Sequence, residues 1–271
     1  STVARELNRM EGEYLAVNAQ QLATAKSANK GRPLKLTPQL AALIESRLQQ
    51  TWSPEQLVGA ELAGVLSFKT IYSWIHRGFL AVTEKVLRRK GKKPSTQETR
   101  GRFSVERTIK ERPQEVEDRE VFGHWELDTM VSSRGKSKGC LATFVERKTR
   151  FYVAIKLDNR TKESMFTAIN SLHSTLTSKL LKTFTVDRGK EFACCEQVET
   201  KFGIPMYFAD AYAAWQRGSN ENSNGLLREF FPKKTDLAKV TLDELTNALM
   251  LINNRPRKCL GFKTPFDMLN H

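Results

Sequence analysis

Residues 124–131 read HWELDTMV, and the fold turns on how this stretch is read. Trp125, Leu127 and Met130 give it the composition of a β-strand, yet Asp128 stands among them. A carboxylate inside a packed strand costs free energy unless a cation or hydrogen-bond donors meet it. The position of Asp128 therefore points to chemistry as well as to structure.

The flanking segments continue the β texture. GCLATFVERKTR (139–150) and FYVAIKLD (151–158) are two further strands with short polar connections, which predicts an antiparallel meander. TKESMFTAINSLHSTL (161–176) reads as a helix with Thr161 as N-cap and Glu163 in its first turn. LLKTFTVD (180–187) is a fourth strand, EQVETKF (196–202) a short helix and GIPMYFAD (203–210) a fifth strand; AYAAWQRGSNENSNGLLREF (211–230) opens the next helix, with Ser219 or Asn220 as its N-cap candidate. That order predicts a ribonuclease-H-like α/β domain, a five-stranded mixed sheet flanked by helices.

In such a sheet the first and fourth strands are neighbours, so Asp128 and Asp187 would face each other. Phosphodiester chemistry driven by a hydroxyl uses two divalent ions about 4 Å apart, and Mg²⁺ prefers carboxylate oxygens. Glu221 is the candidate for a third acid, with 33 residues between it and Asp187. Other acids compete. Glu126 shares the strand face of Asp128 and is either a supporting acid or a charge at the rim. Asp158 and Asp210 stand at strand ends, where acids cap turns, and Glu191 and Glu229 are further competitors.

The chain has 271 residues with 44 Lys and Arg against 30 Asp and Glu, a net charge of +14. Such a surplus points to a polyanionic partner, nucleic acid before a membrane surface. No apolar run approaches the roughly 18 residues of a membrane span. Four cysteines without CxxC spacing and four histidines predict a reducing, cytoplasmic chain with no structural zinc.

Before the acids the pattern is helical. LTPQLAALIESRLQQ begins with Thr37 and Pro38, WSPEQLVGAEL repeats the device with Ser53 and Pro54, and a third helix starts at Ser67 after a tight turn at Ala63–Gly64. This reads either as a helix-turn-helix, whose recognition helix offers Lys69, Thr70 and Tyr72 to a DNA groove, or as a plain three-helix domain. Residues 85–112 carry eleven basic and three acidic side chains. They are a soluble connector or an arm in which Arg88, Arg89 and Lys90 follow DNA phosphates. The expected organisation is 1–31, the end of a first helix-turn-helix with a connecting helix; 32–82, a second helix-turn-helix; 83–118, a basic linker; and 119–271, the catalytic domain.

Four strings occur together: HWELDTMV, TVDRGKEF, YFADAYAAWQRGSNENSNGLLREFFPKKTDL and NNRPRKCLGFKTPFDML. Jointly they closely resemble the insertion-sequence-thirty family of bacterial transposases, DDE recombinases with a ribonuclease-H-like core. The 33-residue spacing agrees with that family's last catalytic interval. STVARELNR at the start resembles the end of the family's first helix-turn-helix, which implies residues upstream.

The resemblance implies that Asp128, Asp187 and Glu221 are the metal-binding triad. It also implies two Mg²⁺ ions per site, with Mn²⁺ as a substitute. The activity would be binding of terminal inverted repeats, nicking to free a 3′-hydroxyl and transfer of that end to target DNA. Coordination of two ends calls for a homodimer or higher oligomer on double-stranded DNA, with no membrane. Departures from the family pattern are Ala211, Ala213 and Ala214 around the tyrosine, and Arg188 after the second aspartate.

Around the acids, Lys190, Arg217 and Arg228 are candidates to hold phosphate, with a plain surface lysine as the other reading of Lys190. Asn224 lies on the helix face of Glu221 and is a candidate DNA contact. Trp215 either stacks a base or pins the loop to the core. Arg255, Arg257 and Lys258 face DNA or solvent. The competing function is a transcriptional regulator with a decayed ribonuclease-H-like domain; a structure-selective nuclease would need neither the helix-turn-helix nor the family strings.

Overall fold

The computed structural model describes Ala4, Leu7 and residues 15–28, 34–88, 107–132, 137–176, 180–210 and 213–269. Contacts divide the chain into two units, Ser1–Ala42 and Leu43–His271, and the division falls inside the second described helix. The first unit holds helix α1 (Ala16–Ala28) and the start of α2 (Pro38–Gln49). Thr37 caps α2 as read, its Oγ1 accepting from the amide of Leu40 at 3.2 Å.

The second unit continues with α3 (Pro54–Ala60) and α4 (Phe68–His76). Ser53 and Gln56 form a reciprocal capping box on α3, and Ser67 caps α4 through the amide of Lys69. Gly64 turns the chain between them at φ +75°, which favours glycine. Ile44, Leu48, Leu57, Ile71 and Trp74 are buried, while Lys69 is exposed and Thr70 and Tyr72 are half-buried. Gln56 Nε2 also donates to the carbonyl of Pro256 at 2.7 Å, fastening α3 to the C-terminal segment. Among the described residues no helix is long and apolar enough to cross a membrane.

The end of the basic stretch differs from a solvated connector. Thr108 bridges Phe208, Arg107 pairs with Glu199 at 2.9 Å, and Arg112 and Val116 are buried. Helix α5 (Gln114–Asp118) then leads into the sheet. Burial lowers the Arg112 guanidinium to about 10, with Arg147 adding to the effect. The basic residues here pack on the domain because the acids Glu117 and Glu126 lie within reach.

Strands β1 (His124–Val131), β2 (Cys140–Glu146) and β3 (Tyr152–Leu157) form the antiparallel meander. Helix α6 (Lys162–Thr175) crosses to β4 (Thr183–Val186), and α7 (Cys195–Phe202) leads to β5 (Met206–Phe208). The sheet order is β3-β2-β1-β4-β5, with β4 parallel to β1 and to β5. Helices α8 (Gly218–Phe230) and α9 (Leu242–Asn253) close the fold.

The side-chain alternation of β1 decides what each face carries. Trp125 and Leu127 point into the core shared with Met165, Ile169 and Val198 of α6 and α7. Met130 belongs to the opposite core with Leu226, Leu227, Leu245 and Ile252 of α8 and α9. Each fully buried side chain of this kind stabilises by about 1.5–3 kcal/mol. Glu126 and Asp128 share the parity of Met130, so both acids face α8. Gly123 admits the chain to β1 at φ +112°, and a Cβ there would meet the Lys182 side chain at 2.8 Å.

Candidate active site

The β1–β4 register pairs His124 with Thr183, Trp125 with Phe184 and Glu126 with Thr185. Continued by two residues it sets Asp187 beside Asp128, as the strand order predicted. Both carboxylates are 20% exposed. Asp187 Oδ1 accepts from the amide of Gly189 at 2.8 Å, and a Cβ on Gly189 would lie 2.8 Å from that oxygen, so glycine is the residue that fits.

Arg217 joins the two acids. Its Nη2 lies 3.2 Å from Asp187 Oδ2, and its Nη1 lies 3.6 Å from Asp128 Oδ1 and 3.2 Å from the carbonyl of Leu127. The sequence offers this arginine to DNA phosphate; no local signal ties it to the two aspartates.

Asp128 has an orienting partner on α8. Tyr152, buried against the second core, donates its hydroxyl to Asn224 Oδ1 at 2.6 Å, and Asn224 Nδ2 donates to Asp128 Oδ2 at 3.0 Å. Burial raises the Tyr152 hydroxyl above its ordinary pKa, which keeps it a donor. That donor fixes which way the Asn224 amide points. Asn224, proposed from sequence to touch DNA, is here spent on Asp128.

Glu221 stands in the first turn of α8 with an exposed side chain. The structure brings Asp128 and Asp187 together but does not add Glu221 to them: among the described residues no group of three acids, histidines or cysteines is poised around one point. What sets the start of α8 is Glu126. Its Oε2 accepts from the amide of Asn220 at 2.9 Å, and Asn220 Nδ2 returns a bond to the Glu126 carbonyl at 3.0 Å. The helix N-terminus is thus capped by a buried acid from β1, which suits the positive end of the helix dipole. Neither Ser219 nor Asn220 is the cap; Ser219 Oγ accepts from Arg150 at 2.6 Å instead.

Glu126 is fully buried, so it is no rim charge. Arg147 Nη1 meets its Oε1 at 2.5 Å, while Arg147 Nε donates to the Val116 carbonyl at 2.9 Å. Burial lowers the Arg147 pKa and Glu126 opposes that shift. Glu191 plays a matching part on the other side: Thr129 Oγ1 and Arg160 Nε donate to its Oε1 at 3.0 and 2.6 Å. It thereby ties the residue after Asp128 to the turn after Asp187.

The remaining candidates scatter. Lys190 is exposed, and Trp215 is 77% exposed, so it does not pin its loop to the core. Arg228 Nη2 donates to the Val131 carbonyl at 2.9 Å. Arg88 pairs with Glu229 at 3.0 Å and reaches Asn222; Arg89 and Lys90 lie outside the described residues. Glu229 is bound by Arg255 at 3.0 Å as well. Arg255 and Arg257 are buried, contrary to a DNA-facing or solvated cluster, because Glu229 and the Ile252 carbonyl draw them inward.

A family model described as integrase core domain matches residues 118–214, a span that includes Asp128 and Asp187 and stops short of Glu221. The chain is 34% identical over 291 residues to the transposase InsI for insertion sequence element IS30A of Escherichia coli K12, covering 99% of this chain and 75% of the relative. It is 38% identical over 282 residues to the transposase for insertion sequence element IS4351 of Bacteroides fragilis, covering 98% and 84%. Among solved structures, the catalytic core domain of BIV integrase aligns with a TM-score of 0.44 at 19% identity, over 55% of this chain and 93% of that one.

Proposed function

Because the chain belongs to the IS30 family of insertion-sequence transposases, we propose that it nicks the ends of a mobile element and joins them to target DNA, with Asp128, Asp187 and Glu221 as its catalytic acids. The observation that carries this reading is the adjacency of Asp128 and Asp187 on neighbouring parallel strands, where both already hold one cationic group.

The same pair fits a hard divalent ion. Mg²⁺ is held through one or two carboxylates and completes its octahedron with water and phosphate oxygens. Asp128 and Asp187 would hold it, joined by Glu221 from α8, and Mn²⁺ would substitute. Two bound ions would supply Lewis-acid stabilisation of the attacking and leaving oxygens in an in-line displacement at phosphorus.

The chain's own residues supply position and charge. Asn224 and Tyr152 orient Asp128, Glu126 sets the start of the helix that carries Glu221, and Glu191 spaces the two strand ends. Lys190 and Arg228 line the approach as phosphate ligands, and exposed Trp215 stacks on a base beside the cut. Helices α3 and α4 read the inverted repeats through Lys69, Thr70 and Tyr72. The division into 1–31, 32–82, 83–118 and 119–271 belongs to this reading. So do action on double-stranded DNA in the cytoplasm and assembly as a homodimer or larger, since two ends must be cut and joined together.

The test is incubation of the purified chain with a labelled duplex ending in the element's inverted repeat, with Mg²⁺. The expected product is a nicked strand with a free 3′-hydroxyl. Binding without any nicking, in Mg²⁺ or Mn²⁺, would overturn the reading in favour of a DNA-binding regulator. A second measurement addresses the basic arm: replacing Arg88, Arg89 and Lys90 by alanine is expected to reduce the slope of log affinity against log salt by about 0.9 for each phosphate no longer neutralised. An unchanged slope would remove these three from the DNA interface.

A further inference from the structure

Arg147 and Arg217 both meet acids carried by β1, and they are satisfied differently. Arg147 uses Nε on the Val116 carbonyl, Nη1 on Glu126 and Nη2 on Glu117. Arg217 is 13% exposed, and its buried Nε has no hydrogen-bond partner among the described residues, as is also the case for Arg112, Arg150, Arg255 and Arg257. Its two Nη atoms are split between different carboxylates, and the 3.6 Å separation from Asp128 is an ion pair without hydrogen-bond geometry. Arg147 also divides its Nη atoms between two carboxylates, but it closes each with a hydrogen bond and satisfies its Nε, whereas Arg217 holds Asp128 only as an ion pair.

Two aspartates side by side repel each other unless a cation lies between them. In this structure Arg217 lies against both, and Arg160 also acts on both electrostatically. Arg217 belongs to the 3-10 turn Ala214–Arg217, directly before α8, so rotation of its side chain can move the charge at the cost of its Nη1 bond to the Leu127 carbonyl of β1. A divalent ion and a guanidinium cannot share the same two carboxylates cheaply, because like charges a few ångströms apart repel strongly in a poorly solvated site.

We infer that Arg217 is a displaceable resident cation of the Asp128–Asp187 pair: it weakens divalent-ion binding in the free protein and, once displaced, transfers its charge to a DNA phosphate at the cut. Metal loading and engagement of the DNA end are thereby coupled, and the coupling is reciprocal by thermodynamic linkage. The inference rests on the proposal that these two aspartates hold divalent ions.

The experiment measures Mn²⁺ affinity of the full chain without DNA, from free Mn²⁺ seen by electron paramagnetic resonance, for wild type, Arg217→Gln and Asp187→Asn. Removing the resident charge is expected to tighten Mn²⁺ binding by about tenfold, within the usual range of coupling between sites. Nicking of the end duplex at saturating Mn²⁺ is expected to fall in the same variant, since no guanidinium remains there to meet the phosphate. Arg217→Met provides the same comparison should the glutamine variant fail to fold. Mn²⁺ affinity equal to or weaker than wild type in a folded charge-free variant would overturn the inference while leaving the metal reading intact. Absence of any Asp187-dependent Mn²⁺ binding in wild type and variant alike would overturn both.

Discussion

Replacing Asp187 by asparagine is expected to abolish detectable nicking of transposon-end DNA while leaving the fold and duplex binding in place. The amide keeps the volume of the side chain, and its oxygen can still accept from the Gly189 amide, a bond of 2.8 Å. What disappears is an anionic ligand at the point where charge develops on phosphorus. Metal stabilisation of such charge is worth several kcal/mol, and each 1.36 kcal/mol is tenfold in rate, so the fall should reach about a thousandfold. Stability should change little, because removing one of two neighbouring like charges offsets the loss of the Arg217 pair. Glu221→Gln gives the matching comparison for the acid that the structure leaves apart from the pair. If Glu221→Gln nicks as well as wild type, Glu221 is not the third acid. If Asp187→Asn nicks normally, the adjacency of Asp128 and Asp187 is unconnected with catalysis.

The second large effect lies beneath the site and is one of stability. Arg147→Ala is expected to destabilise the catalytic domain by about 3–5 kcal/mol, the usual cost of stranding one member of a buried ion pair. Glu126 would remain fully buried with the Asn220 amide as its main support, and the Val116 carbonyl would be left without its donor. Against a total stability of about 5–15 kcal/mol this is a large fraction, and in a domain of this size it should lower Tm by roughly 10 °C. Glu126→Gln should cost less, since the amide oxygen can still cap α8 and Arg147 keeps Glu117 and Val116. Denaturant unfolding of the two variants checks the order. A destabilisation below about 1 kcal/mol for Arg147→Ala would mean that solvent replaces the arginine and that the pair does not hold the helix.

These two residues also mark where reading the sequence stops. Asp128 is visible because a carboxylate in a strand-forming run breaks the local pattern. Asp187 is visible because it ends the next parallel candidate. The caps at Thr37, Ser53 and Thr161 are equally legible, since each acts within three residues of itself. The cap of α8 is not. Polar residues around Glu221 suggest Ser219 or Asn220, but the acceptor comes from Glu126, 94 residues away. The parity of Glu126 with Asp128 is the one available hint, and it leaves open whether that acid is buried or at the rim. The basic residues mislead in a uniform way. Arg112, Arg255 and Arg257 read as solvated or DNA-facing charges, yet each is buried: Arg112 against the Thr185 hydroxyl and Glu117, Arg255 against Glu229, and Arg257 against the Ile252 carbonyl.

The amino-acid sequence by itself determined the order of strands and helices, the face of β1 that carries its acids and the family to which the chain is related. Those properties depend on side-chain alternation, on caps acting within a few residues and on strings that occur together. Only the tertiary structure decided that Arg217 lies across Asp128 and Asp187, that Asn224 serves Asp128, and that Glu126 and Arg147 anchor α8. Each of those contacts joins elements brought together by sheet register and helix docking, and no local periodicity encodes which long side chain will meet which distant charge.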